Sequence, residues 1–220
     1  MDLQYSCFIS YPHGQENVLV PIVEDFVKGL KTELGTQDRR PVWFDKTLTA
    51  GQRLDPAVGV GLCKSGCMIM IYTPLYFDEE HTYCARELKA MQDLEKERMK
   101  FLADKTYSLI IPVILRGEKG FPEAMKQTLY YDFTQVAFNS RSVKVRQKYA
   151  NDIQKLADYI KARLDSLDKV AALLKHDCDN HCLPTIEVAR SFVKEVLGKS
   201  IVTVSDSFPG QNAKVEAEGS

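Results

Sequence analysis

The sequence predicts an α/β fold: a flavodoxin-like open, mostly parallel five-stranded sheet with helices on both faces, followed by a C-terminal helical extension. Three observations predict it. Short, almost wholly apolar runs recur at residues 5–10, 67–72 and 107–115, as strands covered on both faces read. The segments between them carry apolar residues at helical spacing. From about Val143 only the helical spacing continues. Strand alternating with helix at this rhythm means βαβ units and right-handed crossovers.

Residues 5–10 read as a buried strand closed by the polar segment Tyr11-Pro12-His13-Gly14. Ile22, Val23, Phe26, Val27, Leu30 and Leu34 form one helical stripe. Pro21 suits its first turn and Gly35 its end. Residues 42–44 give the next strand and residues 45–54 a loop. Asp55-Pro56 reads as the cap and first residue of a short helix carrying Ala57, Val58, Val60 and Leu62. The run 67–72 is a central strand ended by Pro74. A polar-faced helix over 82–101 turns Leu88, Met91 and Leu94 inward, and strands follow at 107–115 and 129–133.

Tyr149, Ile153, Leu156, Ile160, Leu164 and Leu167 then form a long stripe that Val170, Leu173 and Leu174 prolong. A break at 176–184 precedes a second helix with Ile186, Ala189, Phe192, Val193 and Val196, stopped near Gly198. The domain reading is a sheet domain over 1–166, a helical extension over 167–204 suited to self-association or activator recognition, and a mobile Ser- and Gly-rich tail over 205–220.

At 220 residues the chain supports one substantial core with a smaller appendage. It is 45% hydrophobic and 27% charged with a net charge of −1, so no global basic excess argues for nucleic acid. No apolar run is long enough for a membrane span, and the N-terminus lacks a signal-peptide layout. The expected location is cytoplasmic. Six cysteines, several in apolar runs, suit a reducing compartment better than a disulfide scaffold, and Cys63, Cys67 and Cys84 read most simply as small core hydrophobes.

The chemistry-bearing residues gather at one edge. Ligands on such sheets bind beyond the carboxyl ends of the strands, where residues 10–14, 45–54 and 73–83 lie. Tyr83 and Glu87 are four residues apart on a helix, so an aromatic ring and a carboxylate share one face. On position alone Glu87 reads as a solvated helix carboxylate; its role as candidate catalytic residue, with Ser10, Tyr11, Pro12, Asp45, Arg53 and Tyr83 as candidate substrate-binding residues, follows from the family resemblance that segments of the chain carry. Arg53, and to a lesser degree Lys46, can meet a diphosphate as charge-assisted donors. No Gly-x-Gly-x-x-Gly fingerprint occurs, which leaves hydride-transfer chemistry unsupported. The segment His176-Asp177-Cys178-Asp179-Asn180-His181-Cys182 has metal-friendly side chains, but its spacing matches no known finger. The simpler reading is a polar turn with two incidental cysteines, and no metal site is expected.

Phe8-Ile9-Ser10-Tyr11, Phe44-Asp45 with Leu48-Thr49-Ala50-Gly51, residues 65–77, Tyr83-Cys84-Ala85-Arg86-Glu87 and Ile111-Pro112-Val113-Ile114 occur in order. Together they resemble a Toll/interleukin-1 receptor (TIR) domain from about Tyr5 to Asp165. Tyr83 departs from the tryptophan found in many members.

The resemblance implies one of two functions. The first is a bacterial-type NAD+ glycohydrolase or ADP-ribosyl cyclase, in antiphage defence signalling or NAD+ depletion, with NAD+ as substrate and no cofactor. The second is a non-catalytic adaptor acting through TIR–TIR self-association, using the loop at 45–54. It also implies a homo-oligomer and a possible activator or effector protein as partner. A response-regulator-like domain would want clustered acids after the first strand, where Tyr11-Pro12-His13 stands instead.

Overall fold

Residues 65–72 are buried at every position, and everything else in the fold is arranged around them. In the computed structural model, residues 2–13, 19–44, 54–78, 82–134 and 143–198 are described; the proposed tail at 205–220 lies outside them. The strands are β1 (Tyr5–Ser10), β2 (Ser65–Tyr72), β3 (Ile110–Ile114) and β4 (Tyr131–Asp132). The helices are α1 (Leu19–Gly35), α2 (Leu54–Cys63), α3 (Tyr83–Arg98), α4 (Val143–Val170) and α5 (Ile186–Gly198).

The sheet is parallel throughout, in the order β1-β2-β3-β4. Cys7 pairs with Cys67, Met70 with Pro112, and Val113 with Tyr131. Among the described residues the strands number four rather than the expected five. Residues 42–44 contribute one bridge, Trp43 to Phe8. Its backbone bonds are nonetheless strand-like: Trp43 N–H donates to the Cys7 carbonyl at 2.8 Å, and Ile9 N–H to the Trp43 carbonyl at 3.1 Å. This segment therefore occupies the outer flank of β1. The chain leaves β1 in one direction through α1 and returns to its other side through α2, so the sheet's switch point falls between β1 and β2.

The predicted strand at 129–133 shrinks to two residues. Pro112 sits where β4 has not yet begun, a place where its missing N–H is tolerated.

α1 packs on α4, which crosses β1 and β2, while α2 and α3 pack on each other. Phe8 and Trp43 stack at 4.4 Å. Arg98, at the end of α3, is fully buried and donates to the carbonyls of Cys63 and Ser65 at 2.6 and 2.7 Å. It thereby fastens α3 to the α2–β2 joint. No described helix is long and apolar enough to cross a membrane.

α4 ends at Val170, and the prolonged stripe is broken there: Leu174 is buried but Leu173 is exposed. α5 lies on α3, and its Ala189, Phe192, Val193 and Val196 join the same core as the sheet. The connecting segment is held to α2. Cys63 and Cys178 form a disulfide with Cα atoms 5.4 Å apart, and Lys64 pairs with Asp179 at 2.7 Å. The disulfide corrects two expectations at once: Cys63 is not a lone core hydrophobe, and Cys178 is not incidental. Sequence spacing could not pair them, because 115 positions separate the two.

Candidate functional site

β1 ends at Ser10 and β2 at Tyr72, so the switch point, where ligands on such sheets bind, lies beyond these two residues. After β2 the chain turns through residues 73–77, which puts Tyr76 beneath the start of α3. Ser10 and Tyr76 are both buried and Glu87 is half-buried. Ser10 Oγ donates to Glu87 Oε2 at 2.6 Å, and Tyr76 Oη lies 2.7 Å from the same Ser10 oxygen. Burial, with Cys84 and Glu87 close by, holds the Tyr76 phenol well above the usual tyrosine range. The acid is thus seated at a strand end, in surroundings that strengthen its electrostatics relative to bulk water.

A second cluster adjoins it on the outer side. Tyr83 Oη donates to Asp55 Oδ1 at 2.7 Å, and Arg86 Nη2 to Asp55 Oδ2 at 2.7 Å. Arg86 Nε reaches the Pro184 carbonyl, also at 2.7 Å. The Arg86 guanidinium lies 5.1 Å from the Tyr83 ring centre, a cation–π contact. Arg86 and Tyr83, in that order of weight, hold the Asp55 carboxyl below the usual range. The hydrogen bond to Asp55 is the first cause raising the Tyr83 phenol. Tyr83 is 40% exposed, so its ring is pinned at the rim with surface left for contact.

Of the predicted site residues, Ser10 and Glu87 are brought into direct contact. Tyr83 stands one turn before Glu87. Tyr11 is buried against Phe44, with centroids 5.4 Å apart, and against His13 at 4.6 Å; Pro12 is buried as well. Both are thus packed into the interior at the end of β1. Asp45 and Arg53 lie outside the described residues, as does Lys46.

Sequence reasoning missed Tyr76 and Arg86, and it read Asp55 as a helix cap whose charge would oppose an anion there. For Tyr76 the available signal was a hydroxyl-bearing ring in an apolar turn directly after the central strand. For Arg86 it was a cation inside the aromatic–acid motif.

A cavity of about 560 Å³ opens elsewhere, between α1 and α4, lined in part by Ile22, Phe26, Phe133, Tyr149 and Ile153. It contains neither Ser10 nor Glu87; Asp25, Lys28, Glu33 and Arg146 also line it. Among the described residues no group of three or more His, Cys, Asp or Glu side chains is placed to hold a metal, and Cys178, being disulfide-bonded, has no thiolate to offer.

A single carboxylate, held by a serine hydroxyl at the strand ends with an exposed aromatic ring nearby, can stabilise positive charge on a group brought against it. Compared with known proteins, the chain matches the sequence profile of the TIR domain over residues 8–148, from β1 into α4. No curated protein matches it.

Proposed function

The chain belongs to the TIR domain family, whose members serve as signalling or NAD-cleaving modules, and on that premise we propose that it cleaves the nicotinamide–ribose bond of NAD+. The observation that supports this reading is the Ser10–Glu87 hydrogen bond at the switch point of the sheet. Nicotinamide departs with the bonding electron pair and becomes neutral, so little general-acid help is needed. What needs stabilising is the oxocarbenium-like ribose, and Glu87 supplies the negative charge. Glycosidases use two carboxylates for a related task; here a preformed cation in the substrate removes the demand for the proton donor. Tyr83 offers its ring to the ligand at the rim. Water or an internal nucleophile then captures the ribose, giving ADP-ribose or a cyclic isomer. In a bacterial host the outcome is NAD+ depletion or a nucleotide signal in antiphage defence.

TIR domains self-associate as a class, so the test is run across protein concentrations. The full chain is incubated with NAD+ and the products are separated. Nicotinamide release is expected, falling by about a hundredfold or more in Glu87→Gln. Undiminished release in that variant sinks the role of the acid. No release at any concentration leaves the adaptor reading in its place.

A further inference from the structure

We propose that Tyr76 is a positioning residue of this site, acting through Ser10 to fix one oxygen of Glu87. Its kinetic consequence rests on the reading of Glu87 as the reacting carboxylate; its geometry does not. Tyr76 Oη is 2.7 Å from Ser10 Oγ, which is 2.6 Å from Glu87 Oε2. A serine hydroxyl owns one proton and an ionised carboxylate owns none. With Glu87 ionised, the Ser10 proton goes to Oε2, so the proton between Ser10 and Tyr76 comes from Tyr76. Counting protons fixes the direction of the whole chain.

Each link comes from a different place: the last residue of β1, the turn after β2, and the second turn of α3. Without Tyr76, the buried Ser10 oxygen loses a donor, and its hydroxyl loses the partner that aims it at Glu87. Because burial keeps the phenol protonated, Tyr76 remains a donor at every pH the protein meets. The ring is gripped separately, by Phe77 at 5.1 Å edge-on and by Tyr72 at 6.5 Å. Loss of the hydroxyl alone therefore leaves the packing in place.

Among the described residues, the groups near Glu87 that bear on a titration come from several elements. Tyr76 comes from the turn and Cys84 from α3. Arg86 is committed to Asp55 of α2 and to the Pro184 carbonyl. On the α5 side, Arg190 and Lys194 lie beside Thr82, at the head of α3.

The test uses the full chain labelled with ¹³C-glutamate, the Glu87 resonance being identified by its loss in Glu87→Gln. Its titration midpoint is read without NAD+ in wild type, Tyr76→Phe, Ser10→Ala and the double variant. Tyr72→Phe is the control, since it removes a neighbouring hydroxyl that bonds to the Gly120 carbonyl instead. A hydrogen bond to the ionised form lowers a carboxyl's midpoint, so its loss raises it.

Tyr76→Phe and Ser10→Ala are each expected to raise the midpoint, by about half a unit or more. The double variant is expected to match Ser10→Ala, and Tyr72→Phe to match wild type. In turnover, Tyr76→Phe is expected to lower kcat about tenfold with KM little changed. An unmoved midpoint in Tyr76→Phe, or full additivity in the double variant, overturns the proposal. Should Tyr76→Phe not fold, an unmoved midpoint in Ser10→Ala overturns it equally. Wild-type protein that releases no nicotinamide removes the functional reading instead, and the titration still decides the link.

Discussion

Arg86 makes two bonds that no single point donor can make at once, one from Nε to the Pro184 carbonyl and one from Nη2 to Asp55. A lysine is a compact charge without the planar fork. Arg86→Lys is therefore expected to cost about 1–2 kcal/mol in urea unfolding, mainly through the part-buried bond to the Pro184 carbonyl. The ion pair adds little, because Asp55 is half-exposed. Asp55→Asn tests the same cluster from its other side and is expected to change stability less, while freeing the Tyr83 ring (followed by ¹⁹F-labelled tyrosine).

At this scale the sequence was legible where the signal was local. Tyr83 and Glu87 declare themselves by four-residue spacing on one helix. The Ser10–Glu87 contact spans 77 positions, and nothing in either neighbourhood encodes the meeting. Tyr76 was illegible for another reason: between Leu75 and Phe77 it reads as packing, and only the folded turn shows where its hydroxyl points.

Two glycines of α2 let neighbouring elements come close to its backbone. A Cβ at Gly61 would come within 2.3 Å of the Trp43 Nε1 atom, and one at Gly59 within 2.4 Å of the His181 carbonyl oxygen. Gly61→Ala must push Trp43 off Phe8, so a loss of about 1–3 kcal/mol in thermal or urea unfolding is expected. Gly59→Ala meets main chain instead. The connecting segment must lift, and limited proteolysis within 176–184 is expected to quicken while the sheet stays folded.

Element identity was readable from periodicity: the all-apolar run of β2 and the stripes of α4 and α5 correspond to what folds. Extents were less so. Residues 42–44 look like any other short apolar strand, yet among the described residues they pair through one bridge, because pairing length depends on neighbours that composition does not reveal. Cys63 was misread by the same logic, since a half-cystine inside an apolar helix end resembles any small buried residue.

For the molecule as a whole, the C-terminal segment is part of the folded body, and its attachment is expected to weaken in acid. Burial, with Arg98 near, holds both His181 and His176 below the ordinary histidine range, and His181 Nε2 is buried without a hydrogen-bond partner. Their folded-state affinity for protons is thus weaker than in the unfolded chain. The stability they contribute is full above about pH 6.5 and is lost as the pH falls below it. Urea midpoints are expected to drop between pH 7.5 and 5.5, and to drop less in His181→Gln.

The Cys63–Cys178 bond restrains the unfolded chain over a span of 115 residues. Its removal in the Cys63→Ser/Cys178→Ser variant is expected to cost about 2–4 kcal/mol, and about 5 in the chain-entropy view of so long a loop. That closed ring also has a forensic consequence. A protease clipping the outlying turn at Leu129, which is 87% exposed, would sever the backbone without separating the pieces. Such damaged molecules would migrate as one species in a denaturing gel until a thiol reagent is added, and only then as two.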